Sequence, residues 1–204
     1  MPVGTYALTS LINLKSYLNI SVETYDTLLE NLIDRATALF ESFTGRNLMA
    51  RDYSYDSSSD DYDADNAILD GNGFDQIILP QYPINSVTTL RINEIEIDAR
   101  DGIYSLGYVV DAKAGIIRLA GYLFSEGWGN VELEYNAGYS AVPKDLEQAV
   151  IEQAAWMHKQ SGEGGSLLGV TSVTIADDPV AFMLKDLLPS VKMALERYKK
   201  RFAL

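Results

Sequence analysis

A chain of 204 residues, 47% of them apolar, is long enough to bury a sizeable core, and its length limits it to one domain or two small ones. Its 16 Lys and Arg stand against 29 Asp and Glu, a net charge of -13, which argues against whole-chain electrostatic attraction to nucleic acid or to an anionic membrane. The absence of cysteine excludes disulfide frameworks, thiolate zinc sites, iron-sulfur clusters and cysteine nucleophiles, and fits a cytosolic folding environment.

Met1 to Leu18 has neither the basic start nor the unbroken apolar core of a secretory signal, and no later run approaches the roughly 20 apolar residues of a membrane span, so a soluble protein is expected. Ser10 is placed to cap a short helix carrying Leu11, Leu14, Tyr17 and Leu18. Asn19-Ile20-Ser21 breaks that pattern, and Ser21 offers a second N-cap ahead of Glu23 and Asp26. From there Leu28, Leu29, Leu32, Ile33, Ala36, Leu39, Phe40 and Phe43 recur at spacings of three and four until Gly45. Ser21 to Thr44 at about 1.5 Å per residue predicts a rod of roughly 35 Å with one buried stripe.

After Arg46 the period changes to two. Strands are expected at 77–79, 87–92, 95–97, 108–110, 116–119 and 131–135, which are short and rich in β-branched or aromatic residues. Asn93-Glu94 and Asp111 to Gly115 are the expected hairpin turns. Glu132 and Glu134 alternate with Val131, Leu133 and Tyr135, as on a strand with one face in the core and one in water. Helix returns behind Val142-Pro143 with Leu146, Ala149, Val150, Ala154 and Met157 on its apolar face, ending before Ser161-Gly162. Gly162 to Ser166 reads as a flexible connector and Val170 to Ile175 as a strand. Asp178-Pro179 is expected to open a helix that Pro189 ends or kinks, with Val191, Ala194, Leu195, Tyr198 and Phe202 continuing a stripe to the C-terminus. The fold class is therefore α+β: a helical bundle of residues 1–45 and 140–204, with an antiparallel β module, a small sandwich or barrel, inserted at 46–139.

Little in the chain points to catalysis. His158, the lone histidine, sits late in a helix beside Trp156 and Met157, where a surface or packing role is expected. The glycines around Gly164 lack the Lys and Ser/Thr of a phosphate loop. Asp75, Glu94, Glu96 and Glu134 are scattered, and no spacing selects an acid/base pair. No enzyme and no cofactor are expected. Asp61, Asp63 and Asp65 do present alternate carboxylates in the manner of a calcium loop, but the twelfth position is Asn72 and flanking helices are missing. Two readings of this stretch stay open: a calcium-dependent β-rich binding module, or a solvated loop kept soluble by self-repulsion. Lys192, Arg197, Lys199, Lys200 and Arg201 form a cationic end in an acidic chain. Either the helix dipole favours them there, or they rim a docking surface with Tyr198 and Phe202 as aromatic anchors.

Three segments, 8–18, 28–46 and Leu79-Pro80-Gln81-Tyr82-Pro83-Ile84-Asn85-Ser86-Val87, together resemble the head-tail connector (adaptor, head-completion) proteins of long-tailed bacteriophages. Tyr135 to Tyr139 followed by Val142 to Val150 is similar to that family's strand-to-helix junction, and Leu188 to Val191 with Leu195 to Tyr198 to its C-terminal helix. The resemblance implies a structural virion protein made in the host cytoplasm, a dodecameric homo-oligomeric ring below the portal in the neck between capsid and tail. It places the C-terminal segment, with Lys192, Arg197, Tyr198, Lys199, Lys200, Arg201 and Phe202, against the portal protein. A stopper or tail-terminator protein would sit on the other side, and DNA would pass through the lumen without specific binding. The middle, longer and more acidic than is usual for such proteins, leaves the contacts of the β module open. Two physical expectations follow: an acidic lumen along which phosphates slide, and a C-terminal segment, 189–204, loosely ordered until it docks.

Overall fold

The protein is described from a computed structural model, covering residues 3–161, the strands at 172–175 and 178–181, and residues 187–200. The chain divides into two compact units: Met1–Gly45 with Val142–Lys199, and a β-rich unit of Arg46–Ala141 with Lys200–Leu204.

In the first unit α1 (Leu11–Leu18) starts at Ser10, whose side chain accepts the N–H of Asn13, and stops at Asn19 in the left-handed conformation. α2 (Asp26–Thr44) begins four residues later than the Ser21 cap predicts. Its N-cap position is Tyr25, which supplies no side-chain bond, and the chain closes on Gly45 with φ 70°. Lys15 reaches across to Asp26 at 2.6 Å, anchoring the first turn of α2 from the previous helix. Leu29, Leu32, Ile33, Ala36 and Phe40 form its buried stripe, facing Leu146, Ala149, Val150, Ala154 and Met157 of α4 (Lys144–Ser161). On α1 the expected apolar face is narrower: Leu14 alone is buried, and Ile12 and Tyr17 are exposed.

Two corrections concern the later part of this unit. Asp178–Ala181 is a strand (β10) paired antiparallel with β9 (Ser172–Ile175), not a helix start. In a two-stranded ribbon each strand keeps one unpaired edge, which tolerates Pro179. Pro189 does not end a helix; it is the first residue of α5 (Pro189–Leu195), where its missing N–H costs nothing. The glycine connector 162–166 lies outside the described residues.

The second unit holds two open antiparallel sheets. β8 (Gly127–Ala137) is the longest strand because three others use it: β4 (Ile84–Ile92) along one edge, and β1 (Arg51–Ser54) and β2 (Ile68–Gly71) end to end along the other. β5 (Ile95–Glu96) extends the sheet beyond β4. The second sheet is β3 (Gln76–Ile78), β7 (Ile116–Ala120) and β6 (Gly107–Asp111), with β7 central. Val131, Leu133, Tyr135 and Ala137 of β8 share one buried cluster with Ile77, Ile117 and Leu119 of the other sheet, so the module is a small sandwich. Each such aliphatic side chain contributes about 1.5–3 kcal/mol by leaving water. The alternation read from Glu132 and Glu134 is present, as both are only half-buried.

Both hairpin turns occur where the sequence places them. Asn93 and Glu94 have φ of 51° and 66°, the geometry of a tight two-residue hairpin. Asp111 closes the other turn by accepting the main-chain N–H of Gly115 on its carbonyl and that of Ala114 on its carboxylate.

Candidate functional site

The stretch 52–70, one of whose two readings is a solvated loop, is tied into the sandwich through β1, α3 and β2, while 56–58 and 60–62 stay exposed. Tyr53 and Ser54 are buried in β1, and Tyr53 stacks on Tyr135 with ring centres 5.1 Å apart. The Ser54 N–H donates to the Asp61 carbonyl at 2.9 Å, and the Asp63 N–H returns to the Ser54 carbonyl at 3.0 Å. Asp63 then caps the single turn α3 (Ala64–Ala67), its carboxylate accepting from the main-chain N–H and side-chain amide of Asn66. Of the three calcium candidates, Asp63 is thus committed to a cap, while Asp61 and Asp65 are exposed. Among the described residues no group of three or more His, Asp or Glu side chains is arranged to hold a metal ion. On the outer part of the loop, the N–H and hydroxyl of Ser58 hold the Asp56 carboxyl below the usual carboxylate range.

His158 packs edge-on to Tyr25 at 5.8 Å, a packing contact between α4 and the start of α2. Asp75, Glu94, Glu96 and Glu134 do not converge: Asp75 precedes β3, Glu94 and Glu96 flank the hairpin, and Glu134 accepts from Ser54 and Thr89 on the face of β8 turned away from the core.

The cationic end of the chain is a surface of the helical unit. α5 buries Val191 and Leu195 and passes into a 3-10 turn, Glu196–Tyr198. Tyr198, an expected docking anchor, is instead turned inward; it is 8% exposed, and its hydroxyl donates to Asp145 Oδ1 at 2.7 Å. The helical spacing that aligned Tyr198 with Phe202 aligned it equally with Val191 and Leu195, and the core claimed it. Lys199 lies over the Phe43 ring at 4.6 Å and pairs with Glu196 at 2.9 Å, whereas Lys192, Arg197 and Lys200 project from an exposed surface. Arg201 and Phe202 lie outside the described residues. Through residue 198 the segment is packed, not loose.

Of the buried polar groups that escaped sequence reasoning, two fix their surroundings most directly. Gln153 on α4 is fully buried and accepts the Leu188 N–H at 3.0 Å, fixing the entry to α5. Arg46, the first residue of the β unit, is 3% exposed; its guanidinium lies 3.9 Å over the Tyr82 ring, donates to the Tyr82 carbonyl and reaches the Tyr139 hydroxyl at 3.3 Å. No periodicity marks a buried polar residue of this kind. Charge is also segregated: residues 46–141 hold 16 Asp and Glu against 6 Lys and Arg, and the remainder 13 against 10.

The family model of head completion proteins matches residues 7–200. The chain belongs to the head completion protein family. Head completion proteins of this kind are head-tail connector components of the virion, the structural role that the sequence resemblance implied. No curated protein has a matching sequence. Among solved structures, this head completion protein is similar to a chain from the neck of an empty GTA particle computed with C6 symmetry, at 22% identity and a TM-score of 0.59, with 100% of this chain and 95% of that one covered. A chain from the neck of the native GTA particle computed with C12 symmetry gives 23%, 0.58, 100% and 94%. One from the virion of the native gene transfer agent particle gives 22%, 0.56, 95% and 90%. At these identities the likeness is one of fold over essentially the whole chain.

Proposed function

We propose that copies of this head completion protein form a dodecameric ring in the virion neck, below the portal protein and above a stopper or tail-terminator protein. The single observation that carries the reading is the family match over residues 7–200, supported by a shared fold that spans nearly all of each compared chain. The compared necks were computed with C6 and C12 symmetry, and a ring of twelve satisfies both. Head-to-tail contacts between copies close into a ring when the rotation per subunit fits.

In this reading the working domains are the helical one, 1–45 with 140–204, and the inserted β domain, 46–139. Lys192, Arg197, Lys199 and Lys200, with Arg201 and Phe202 beyond them, face the portal, and Tyr198 supports them from the core. DNA passes through the lumen without specific binding, since an acidic wall offers phosphates no counter-charge. The protein performs no chemical step; it acts by contact. Electron microscopy of purified particles tests this directly. The expected image is a twelve-membered ring of this chain beneath the portal, and its location anywhere else in the particle overturns the proposal.

A further inference from the structure

One end of the β unit exposes more apolar surface than its own folding requires. Three segments converge there. Gly107 pairs with Ala120, so the loops 100–106 and 121–126 leave the second sheet together, and a Cβ on Gly121 would lie 2.3 Å from the Leu106 side chain. The Phe124 N–H donates to the Phe74 carbonyl at 2.8 Å and the Gly73 N–H to the Phe124 carbonyl at 2.7 Å, which brings in the 72–75 loop. Asn130 ties the start of β8 to the same place, accepting from Gly71 N–H and donating to the Ser125 carbonyl, each at 2.8 Å.

Phe74, Ile103, Tyr104, Leu106, Leu123 and Trp128 are all exposed at this end, Tyr104 at 98% and Trp128 at 94%. The presentation is built. Gly102 N–H donates to the Ser105 hydroxyl, that hydroxyl donates to the Gly102 carbonyl, and Arg100 Nε donates to the same carbonyl at 2.7 Å. Polar bonds thus hold a turn whose apex is Ile103-Tyr104. Asp70 likewise fixes Trp128 from beside it, accepting the Gly129 N–H at 2.6 Å. Large apolar side chains left exposed together at one end of a domain are a mark of an interaction site.

Charge selects the occupant. The converging segments carry Asp70, Asp75, Asp98, Asp101 and Glu126 against one cation, Arg100. An anionic lipid surface is repelled by that rim, and so is the same face of a second copy. We propose that this end of the β unit docks another virion protein through an apolar hollow bordered by lysine or arginine, with Tyr104 and Trp128 as its anchors. The inference rests on the neck reading above.

The test places a photoreactive benzoylphenylalanine at Tyr104 of the full chain during particle assembly, followed by irradiation of purified particles and mass spectrometry. A cross-link to a different virion protein, on an apolar peptide flanked by Lys or Arg, is expected. A cross-link to another copy, to a peptide without flanking cations, or none at all with the chain present in the particle, overturns this inference and leaves the neck reading standing. Absence of the chain from particles overturns both. The double variant Tyr104→Ser with Trp128→Ser should melt like the parent and remain on heads, yet lower the fraction of complete particles at least tenfold; an unchanged fraction contradicts the proposal. Flotation of the free protein with phosphatidylcholine vesicles would also contradict it.

Discussion

Removing the Tyr198 side chain separates a docking role from a core role. The ring is 8% exposed, in line with buried Val191 and Leu195, and its hydroxyl is 2.7 Å from Asp145 Oδ1. Truncating a buried aromatic to alanine costs about 3–5 kcal/mol, a large share of the 5–15 kcal/mol of a typical domain. Tyr198→Phe keeps the ring and loses one hydrogen bond to an exposed carboxylate, about 0.5–1.5 kcal/mol, or several degrees in Tm for a unit of this size. By contrast, Lys192→Gln, Arg197→Gln and Lys200→Gln change exposed groups and should each shift stability by no more than about 0.5 kcal/mol. Urea denaturation followed by far-ultraviolet circular dichroism ranks the variants. The expected order is Tyr198→Ala far below Tyr198→Phe, with the three neutralised cations near the parent. Equal stability of Tyr198→Ala and the parent would refute the inward placement, and the same glutamine variants would then have to be compared with Tyr198→Ala for portal attachment.

Glu94→Gly should stabilise the protein by about 1 kcal/mol, read as a higher urea midpoint, because Glu94 holds a φ of 66° that glycine adopts freely, while its carbonyl still accepts from Arg91. Arg46→Lys should cost about 1–3 kcal/mol, because an ammonium cannot reproduce a planar fork stacked on Tyr82 and shared with the Tyr82 carbonyl and the Tyr139 hydroxyl; urea melts of the two proteins measure it, and equal midpoints would contradict it. Burial, with smaller contributions from neighbouring Tyr53 and Asp63, raises the Tyr135 phenol well above its ordinary value near 10. The unfolded chain therefore loses that proton first, so the stability from Tyr135 is intact below about pH 10 and declines above it by about 1.4 kcal/mol per pH unit. A pH series of melts from 8 to 11 should show that decline, and Tyr135→Phe should make it shallower, leaving the smaller share of Tyr108, which burial also shifts upward.

The sequence is most legible where one force acts alone. Leu29, Leu32, Ile33, Ala36 and Phe40 had only a helical period to obey, and 131–135 only a strand period, so both were readable residue by residue, whereas the glycine-bearing start of β8 at 127–130 was not. Helix termini were harder, since Ser21 is as good a cap as any, yet the salt bridge from Lys15 to Asp26 and the packing of α1 move the start of α2 to Asp26. The acidic composition of 52–65 hid two buried residues, Tyr53 and Ser54, because β1 earns its place from β8 across roughly 80 residues of sequence and not from its own pattern. Pro179 and Pro189 exchanged roles for a related reason. Each is compatible with more than one local structure, and pairing with β9 decided the first. The site was legible as a cationic cluster but not in its division between core and surface, which depends on where α5 meets α4.

The segregation of charge bears on how such a protein assembles. Residues 46–141 carry 16 carboxylates against 6 cations, whereas the rest of the chain is nearly balanced at 13 against 10. In a ring of identical copies, surfaces of the β unit that approached one another would repel, and at physiological salt that repulsion fades only beyond about 8 Å. Contacts between copies are therefore favoured where charge is balanced and apolar side chains are free, as at Ile12, Tyr17 and Val22 of the helical unit. The acidic unit is better suited to contacts with cationic partners. If Tyr104 and Trp128 anchor a partner, the carboxylates around them favour a basic one and disfavour a second copy of the same face.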